Sequence, residues 1–292
     1  MAVLVDTPRW PAHGTLWAHL VSDTSLTELH AFAARCGVPR RSFDLDHYDV
    51  PAARHAELVA AGAQHVTGRE LVRRLRASGL RVPATERPAR AELARRWAEL
   101  LPGHPEIGEE LAVRWSEPHR VYHAVGHLLE VLDRLRLLAD GGEQVGRAVV
   151  LAAWCHDAVH DGTTPADEEA SAALAARLLG PAVGTEEAAE VARLVRVTAD
   201  HAPGADDVPG RVLCDADLGV LGGTPEAYLR YTEQVRAEYG HVPEPDFRRG
   251  RAAVLERLLD RPRLYATPTA ARLWEEAARR NVAAEIARLR AG

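Results

Sequence analysis

Lysine is absent from this chain of 292 residues, so its 36 basic side chains are all arginine. With abundant alanine this reads as GC-rich coding bias, although the planar guanidinium suits phosphate. Against 42 acidic residues the formal net charge is −6, which provides no overall basic field for nucleic acid or an anionic membrane surface. The Arg-rich stretch 69–76 is a local exception, and nucleic acid is not an expected partner. Cysteine is scarce: Cys36, Cys155 and Cys214 form neither a CxxC pair nor an even disulfide framework, as expected of reduced cytosolic thiols. Cys155, beside His156, reads as a small buried apolar side chain rather than a nucleophile. No run approaches the roughly 18 apolar residues of a membrane span, and MAVLVDTPRW lacks the cationic and long apolar stretches of a signal peptide. A cytoplasmic protein is expected. Glycine-rich phosphate loops of the GxGxxG or GxxxxGK type are also missing.

What is there divides in two. Residues 1–82 alternate short β-like runs, at 2–6, 41–50 and 63–66, with helical stretches at 26–36, 52–61 and 68–78, the first ended by Gly37. This predicts a small α/β domain. Residues 81–90, RVPATERPAR, carry two prolines and no apolar periodicity, and read as the linker. From 91 to 292 apolar residues recur every three or four positions, predicting helices at 93–101, 127–138, 149–155, 168–179, 186–198, 226–238, 247–259 and 269–289, with no strand signals. Gly141-Gly142, Gly180-Pro181, Pro203-Gly204, Pro209-Gly210 and Gly222-Gly223 place the loops between them. The expected fold class is α+β with two domains, an α/β domain at 1–82 and an all-α bundle at 91–292.

Three elements of the helical part carry chemistry. His119, His123 and His127 fall four residues apart in SEPHRVYHAVGHLLEV, and wherever that segment is helical they line one face. In AVVLAAWCHDAVHDG an apolar helix runs into His156-Asp157 and then His160-Asp161. Four ionisable groups at the end of a buried helix need compensation, and metal coordination is one of the few ways to supply it. In RVLCDADLGVLGG, Asp215 and Asp217 follow an apolar run. On a helix, positions i and i+2 point in widely different directions, so only one of the two joins a given site, and the other caps or braces.

Together, EPHRVYHAVGHL, WCHDAVHD, DEEASA, CDADLGVLG and YLRYTEQVRAEYG resemble the HD superfamily of metal-dependent phosphohydrolases, over about 200 residues. The resemblance implies a divalent ion, Mn²⁺, Mg²⁺, Fe²⁺, Ni²⁺ or Zn²⁺, one or two per site, held by His127, His156, Asp157 and Asp217. In its YHxxxH form it implies His127 as ligand and His123 as general acid, with Asp157 also catalytic, and it selects Asp217 over Asp215. It implies hydrolysis of a phosphomonoester, a phosphodiester or a nucleotide by metal-activated water. The competing reading is a sensor or interaction protein that binds metal or nucleotide without turnover.

Around that set Arg120 is the candidate phosphate clamp, given its donor fork, while His160, Asp161 and His201 are candidates to contact substrate or to orient the ligands. Arg236 and Glu238 are expected to pair with each other, and Glu168 and Ser171 to start a helix or pack. Ala124 stands where the resembling branch has Asn, so an orienting side chain is missing. Partners are expected to be a small phosphorylated, nucleotide-like substrate and no membrane, with a homo-oligomer allowed.

The N-terminal segment, MAVLVDTPRWPAHGTLWAHLVSDTSLTELHAFAARCGVPRRSFDLDHYDVP, resembles a short bacterial domain of unknown function over about 80 residues. It is dense in polar residues: Asp6, Arg9, Trp10, His13, His19, Ser22, Asp23, Asp46, His47 and Tyr48. Ligands of α/β units sit at strand C-terminal ends, so Asp6 and 46–48 suggest a small-molecule pocket. Caps and turns built by Asp, Ser and Pro explain the same residues equally well.

Overall fold

The computed structural model describes residues 2–291. The chain divides between Val113 and Arg114 into two compact units. A small α/β region with a mixed sheet comes first, and a mostly helical region follows.

In the first unit, β1 (Val3–Asp6), β2 (Trp10–Ala12), β3 (Thr15–Ser22), β4 (Phe43–Asp44), β5 (His47–Pro51) and β6 (Gln64–Val66) form one sheet of order β4-β5-β3-β1-β6, with β2 on β3. β1 runs antiparallel to β3, with Val5 opposite Leu20, and parallel to β6, with Val5 opposite His65. Helices α1 (Leu26–Arg35), α2 (Ala52–Ala60) and α3 (Gly68–Ala77) interleave with the strands. Ser25 and Thr67 cap α1 and α3 by accepting the N–H groups of Glu28 and Glu70. Leu4, Val5, Leu20, Val21, Leu29, Phe32, Leu58 and Leu75 form the core beneath.

The longest strand, β3, is not among the expected runs. Ala18 and His19 dilute its apolar alternation, but pairing on both edges buries Ala18, Leu20, Val21 and Ser22 completely. Residues 81–90 behave differently from a linker and belong to this unit. The buried Asp46 carboxylate accepts from Val82 N–H and the Arg81 guanidinium, and Arg90 is itself buried, donating to the Ala112 carbonyl. α4 (Arg87–Leu100) and α5 (Pro105–Arg114) complete the unit. α5 is not among the expected helices because Gly108 interrupts its helical pattern, yet Gly108 is the residue that fits: a Cβ there would stand 2.3 Å from the Trp97 ring.

The second unit contains α6 (Val125–Asp140), α7 (Arg147–Cys155), α8 (Ala166–Val183), α9 (Thr185–Val197), α10 (Val208–Leu218), α11 (Pro225–Glu238), α12 (Glu244–Leu259) and α13 (Pro268–Ala291), with no strand among the described residues. Two expected loops are helical. Pro181 lies near the C-terminal end of α8, and Pro209 sits in the first turn of α10, where a proline costs no hydrogen bond. Asp207 caps that turn through Gly210 N–H. α6, α7 and α10 pack against one another, and this three-helix junction positions the site.

Candidate metal centre

His127 stands in the first turn of α6, His156 caps the C-terminus of α7 with Asp157 next in the chain, and Asp217 is the penultimate residue of α10. Their donor atoms converge. His127 Nε2 is 3.2 Å from His156 Nε2, 3.1 Å from Asp217 Oδ1 and 3.9 Å from Asp157 Oδ2. His156 Nε2 is 3.2 Å from Asp157 Oδ2 and 3.7 Å from Asp217 Oδ1. Both imidazoles are buried, and the carboxylates keep a little exposure.

The donor chemistry fits a divalent ion. Metal–donor distances of about 2.0–2.2 Å place neighbouring ligands roughly 3.0–3.5 Å apart, which spans the closer separations seen here. His156 Nδ1 donates to the Ala153 carbonyl at 2.8 Å, which leaves the Nε2 lone pair directed at the junction. His127 Nδ1 makes no hydrogen bond. Its ring is held instead between Trp115 and Tyr122, whose centroids lie 6.0 and 4.8 Å away. Asp217 Oδ2 accepts from His201 Nε2 at 2.7 Å, so its other oxygen is aimed at the imidazoles.

Charge balance points the same way. Burial opposes ionisation of Asp157 and Asp217, but the neighbouring imidazoles outweigh it and hold both below the usual carboxylate range. At His127 burial wins and the pKa falls, whereas at His156 the two carboxylates raise it. Two carboxylates held in their charged form suit a cation. Burial pushes the Cys155 thiol up to about 12, so it is a packing residue.

A second cluster adjoins the first. Glu238, at the end of α11, accepts through Oε2 from the backbone N–H groups of Val121, Tyr122 and His123 at 2.7, 2.9 and 3.0 Å. Such a run of successive N–H groups is an anion nest. Its Oε1 accepts from His123 Nδ1 at 2.5 Å and from His160 Nε2 at 3.2 Å, and the two rings lie 4.1 Å apart. Burial opposes its charge, yet these donors hold Glu238 well below the usual carboxylate range.

Several expectations therefore change. α6 begins only at Val125, because the 118–124 segment is tied down by Glu238 and Arg120, so His119 and His123 do not share a helical face with His127. Arg236 bonds Glu244 and the carbonyls of Tyr239 and Val242, and Glu238 is not its partner. The Arg120 side chain has no exposed surface. Its guanidinium donates to Glu117, to the His123 and Asp157 carbonyls at 3.1 and 2.6 Å, and to the Ala158 carbonyl at 3.2 Å. All its donors thus serve the fold. His160 and His201 each hold a site carboxylate, while Asp161 is exposed and its backbone N–H is held by Asp167. Asp215 accepts from Ala266 and Thr267 N–H, away from the histidines. Ser171 bonds both backbone groups of Val159, and Glu168 accepts from Thr164 in the first turn of α8.

In the first unit, Ser22 and Asp23 prove to be cap and anchor residues: Ser22 accepts from Thr24 and Ser25 N–H, and Asp23 accepts from Ala2 N–H and Arg74. Tyr48 is buried in the core, its ring packed on Phe43 and His30.

A family model described as a protein of unknown function (DUF4031) matches residues 3–78, as the N-terminal resemblance implied. It covers the sheet and α1–α3 and not the helical unit. No curated protein and no solved structure matches the chain.

Proposed function

We propose that the helical unit is an HD-type metal-dependent phosphohydrolase acting on a phosphomonoester, a phosphodiester or a nucleotide. The observation that carries this reading is the convergence of His127, His156, Asp157 and Asp217 donor atoms in a buried, negatively charged junction. These four residues would hold one divalent ion, with Mn²⁺ the first choice for assay. When bound, such an ion supplies Lewis acidity, polarising a phosphoryl oxygen and making water acidic enough to attack phosphorus near neutral pH.

The remaining steps fall to the chain. His123 donates its Nδ1 proton to Glu238, which fixes the ring and leaves Nε2 to pass a proton to the departing alkoxide. Glu238 in turn is held by three backbone N–H groups, so the orientation does not depend on a mobile side chain. Trp115 and Tyr122 wall the junction on its apolar side and keep bulk water from the imidazoles.

The test is metal content of the full-length protein after chelation and reloading, together with hydrolysis of p-nitrophenyl phosphate, its bis-ester and a nucleotide panel with Mn²⁺, for wild type and His156→Ala. Metal-dependent turnover lost in the variant is expected. Wild-type protein with neither retained metal nor turnover refutes the reading, and metal without turnover favours a sensor.

A further inference from the structure

On β3 and β5 the side chains alternate across the sheet, so His19, His47 and Asp49 share one face while Ala18, Leu20, Tyr48 and Val50 point into the core. The register places His19 directly opposite Asp49, and His47 is two residues along the same strand. One nitrogen of each ring and a carboxylate oxygen of Asp49 lie within 4.8 Å of one another. We propose that His19, His47 and Asp49 form a binding site for a first-row divalent transition ion, with Zn²⁺ as its representative, in the N-terminal unit.

The ring orientations carry the argument. His19 Nδ1 donates to Asp6 Oδ2 at 3.1 Å, while Asp6 Oδ1 accepts the His19 backbone N–H at 2.7 Å. His47 Nδ1 donates to Asp46 Oδ1 at 2.6 Å, and the other oxygen of Asp46 is held by Val82 N–H and Arg81. Asp6 and Asp46 are both buried. Each imidazole is therefore fixed by a buried carboxylate through Nδ1 and offers Nε2, the arrangement that orients metal-ligating histidines.

The two Nε2 atoms face Asp49 Oδ1 at 4.0 and 3.4 Å, both longer than the ~2.7–3.2 Å of an N–H···O bond, and the His47 separation matches the roughly 3.3–3.5 Å between tetrahedral ligands of zinc. Two imidazoles with one carboxylate select a transition ion over Mg²⁺ or Ca²⁺, which take oxygen donors. Three protein donors leave coordination open to a small ligand, and Trp10, 54% exposed, packs its ring edge against His19. The competing occupant is a proton. Burial disfavours charge on His47, but Asp46 and Asp49 hold its pKa up to about 9.

The site is independent of the helical unit, and the experiment keeps the two apart. Full-length protein with isotopically labelled histidine is titrated with Zn²⁺ while the imidazole resonances are followed by NMR, in wild type, His156→Ala and Asp49→Asn. Asp49 is half-exposed, so its amide variant keeps the fold. Saturable shifts of His19 and His47, persisting in His156→Ala and weakened at least about tenfold in Asp49→Asn, are expected. His19 and His47 resonances that do not respond to Zn²⁺, or that respond equally in wild type and Asp49→Asn, overturn the proposal and leave the proton as occupant.

Discussion

Arg120→Lys separates a structural arginine from a phosphate-binding one. The guanidinium fork reaches one carboxylate and three main-chain carbonyls, on His123, Asp157 and Ala158, from a position with no exposed surface. An ammonium is a point donor on a flexible stem and cannot span those four oxygens. At least two charge-assisted bonds are lost, each about 1.5–3 kcal/mol, so the expected destabilisation is about 3–6 kcal/mol. In a unit of this size 1 kcal/mol corresponds to roughly 2–4 °C in Tm, so the transition should fall by about 6–24 °C. Differential scanning calorimetry of the full chain reads this directly, with inorganic phosphate added as a second arm. A surface clamp would instead lose phosphate-dependent stabilisation at nearly unchanged Tm, and a shift under about 2 °C combined with that loss refutes the bracing role.

Glu238→Gln should cost about 2–4 kcal/mol at pH 7, because the amide cannot accept from both the backbone nest and His123. Since the folded carboxyl titrates below its unfolded value of about 4.3, the native advantage is present above that pH and is lost as pH falls below it. Urea unfolding of both proteins should show the gap narrowing from pH 5 toward pH 3; a gap that does not change with pH contradicts the assignment. Asp217→Asn should lose one metal equivalent per chain relative to wild type by elemental analysis. Asp215→Asn should keep the metal while losing about 1–3 kcal/mol through weaker bonds to Ala266 and Thr267 N–H. Reversed metal contents would exchange the two roles.

The parts of this arrangement visible in the sequence are those with local causes. The apolar run of α7 ending in His156-Asp157 announces a compensated charge, and helical geometry alone separates Asp215 from Asp217. Between those two, the choice of Asp217 came from resemblance, and the structure places its carboxylate on the histidines. What stayed illegible depends on distant partners. Arg120 reads as a free donor fork until the carbonyls of 157 and 158 are brought to it. Glu238 reads as the neighbour of Arg236 until α11 carries it to residues 121–123. His19 and Asp49 become companions only through strand register, although the alternation in HYDVP already sets His47 and Asp49 on one face.

The nest occupied by Glu238 also sets the order in which the site can exist during synthesis. The bond from Val121 N–H spans 117 residues of chain, and at about 5–20 residues per second a ribosome needs roughly 6–23 s to cross that interval. Through that time His123 has no carboxylate to fix its ring, and Asp217 is itself made only shortly before Glu238. The ring of His123 is therefore fixed only when α11 docks, after His127, His156, Asp157 and Asp217 have all been made.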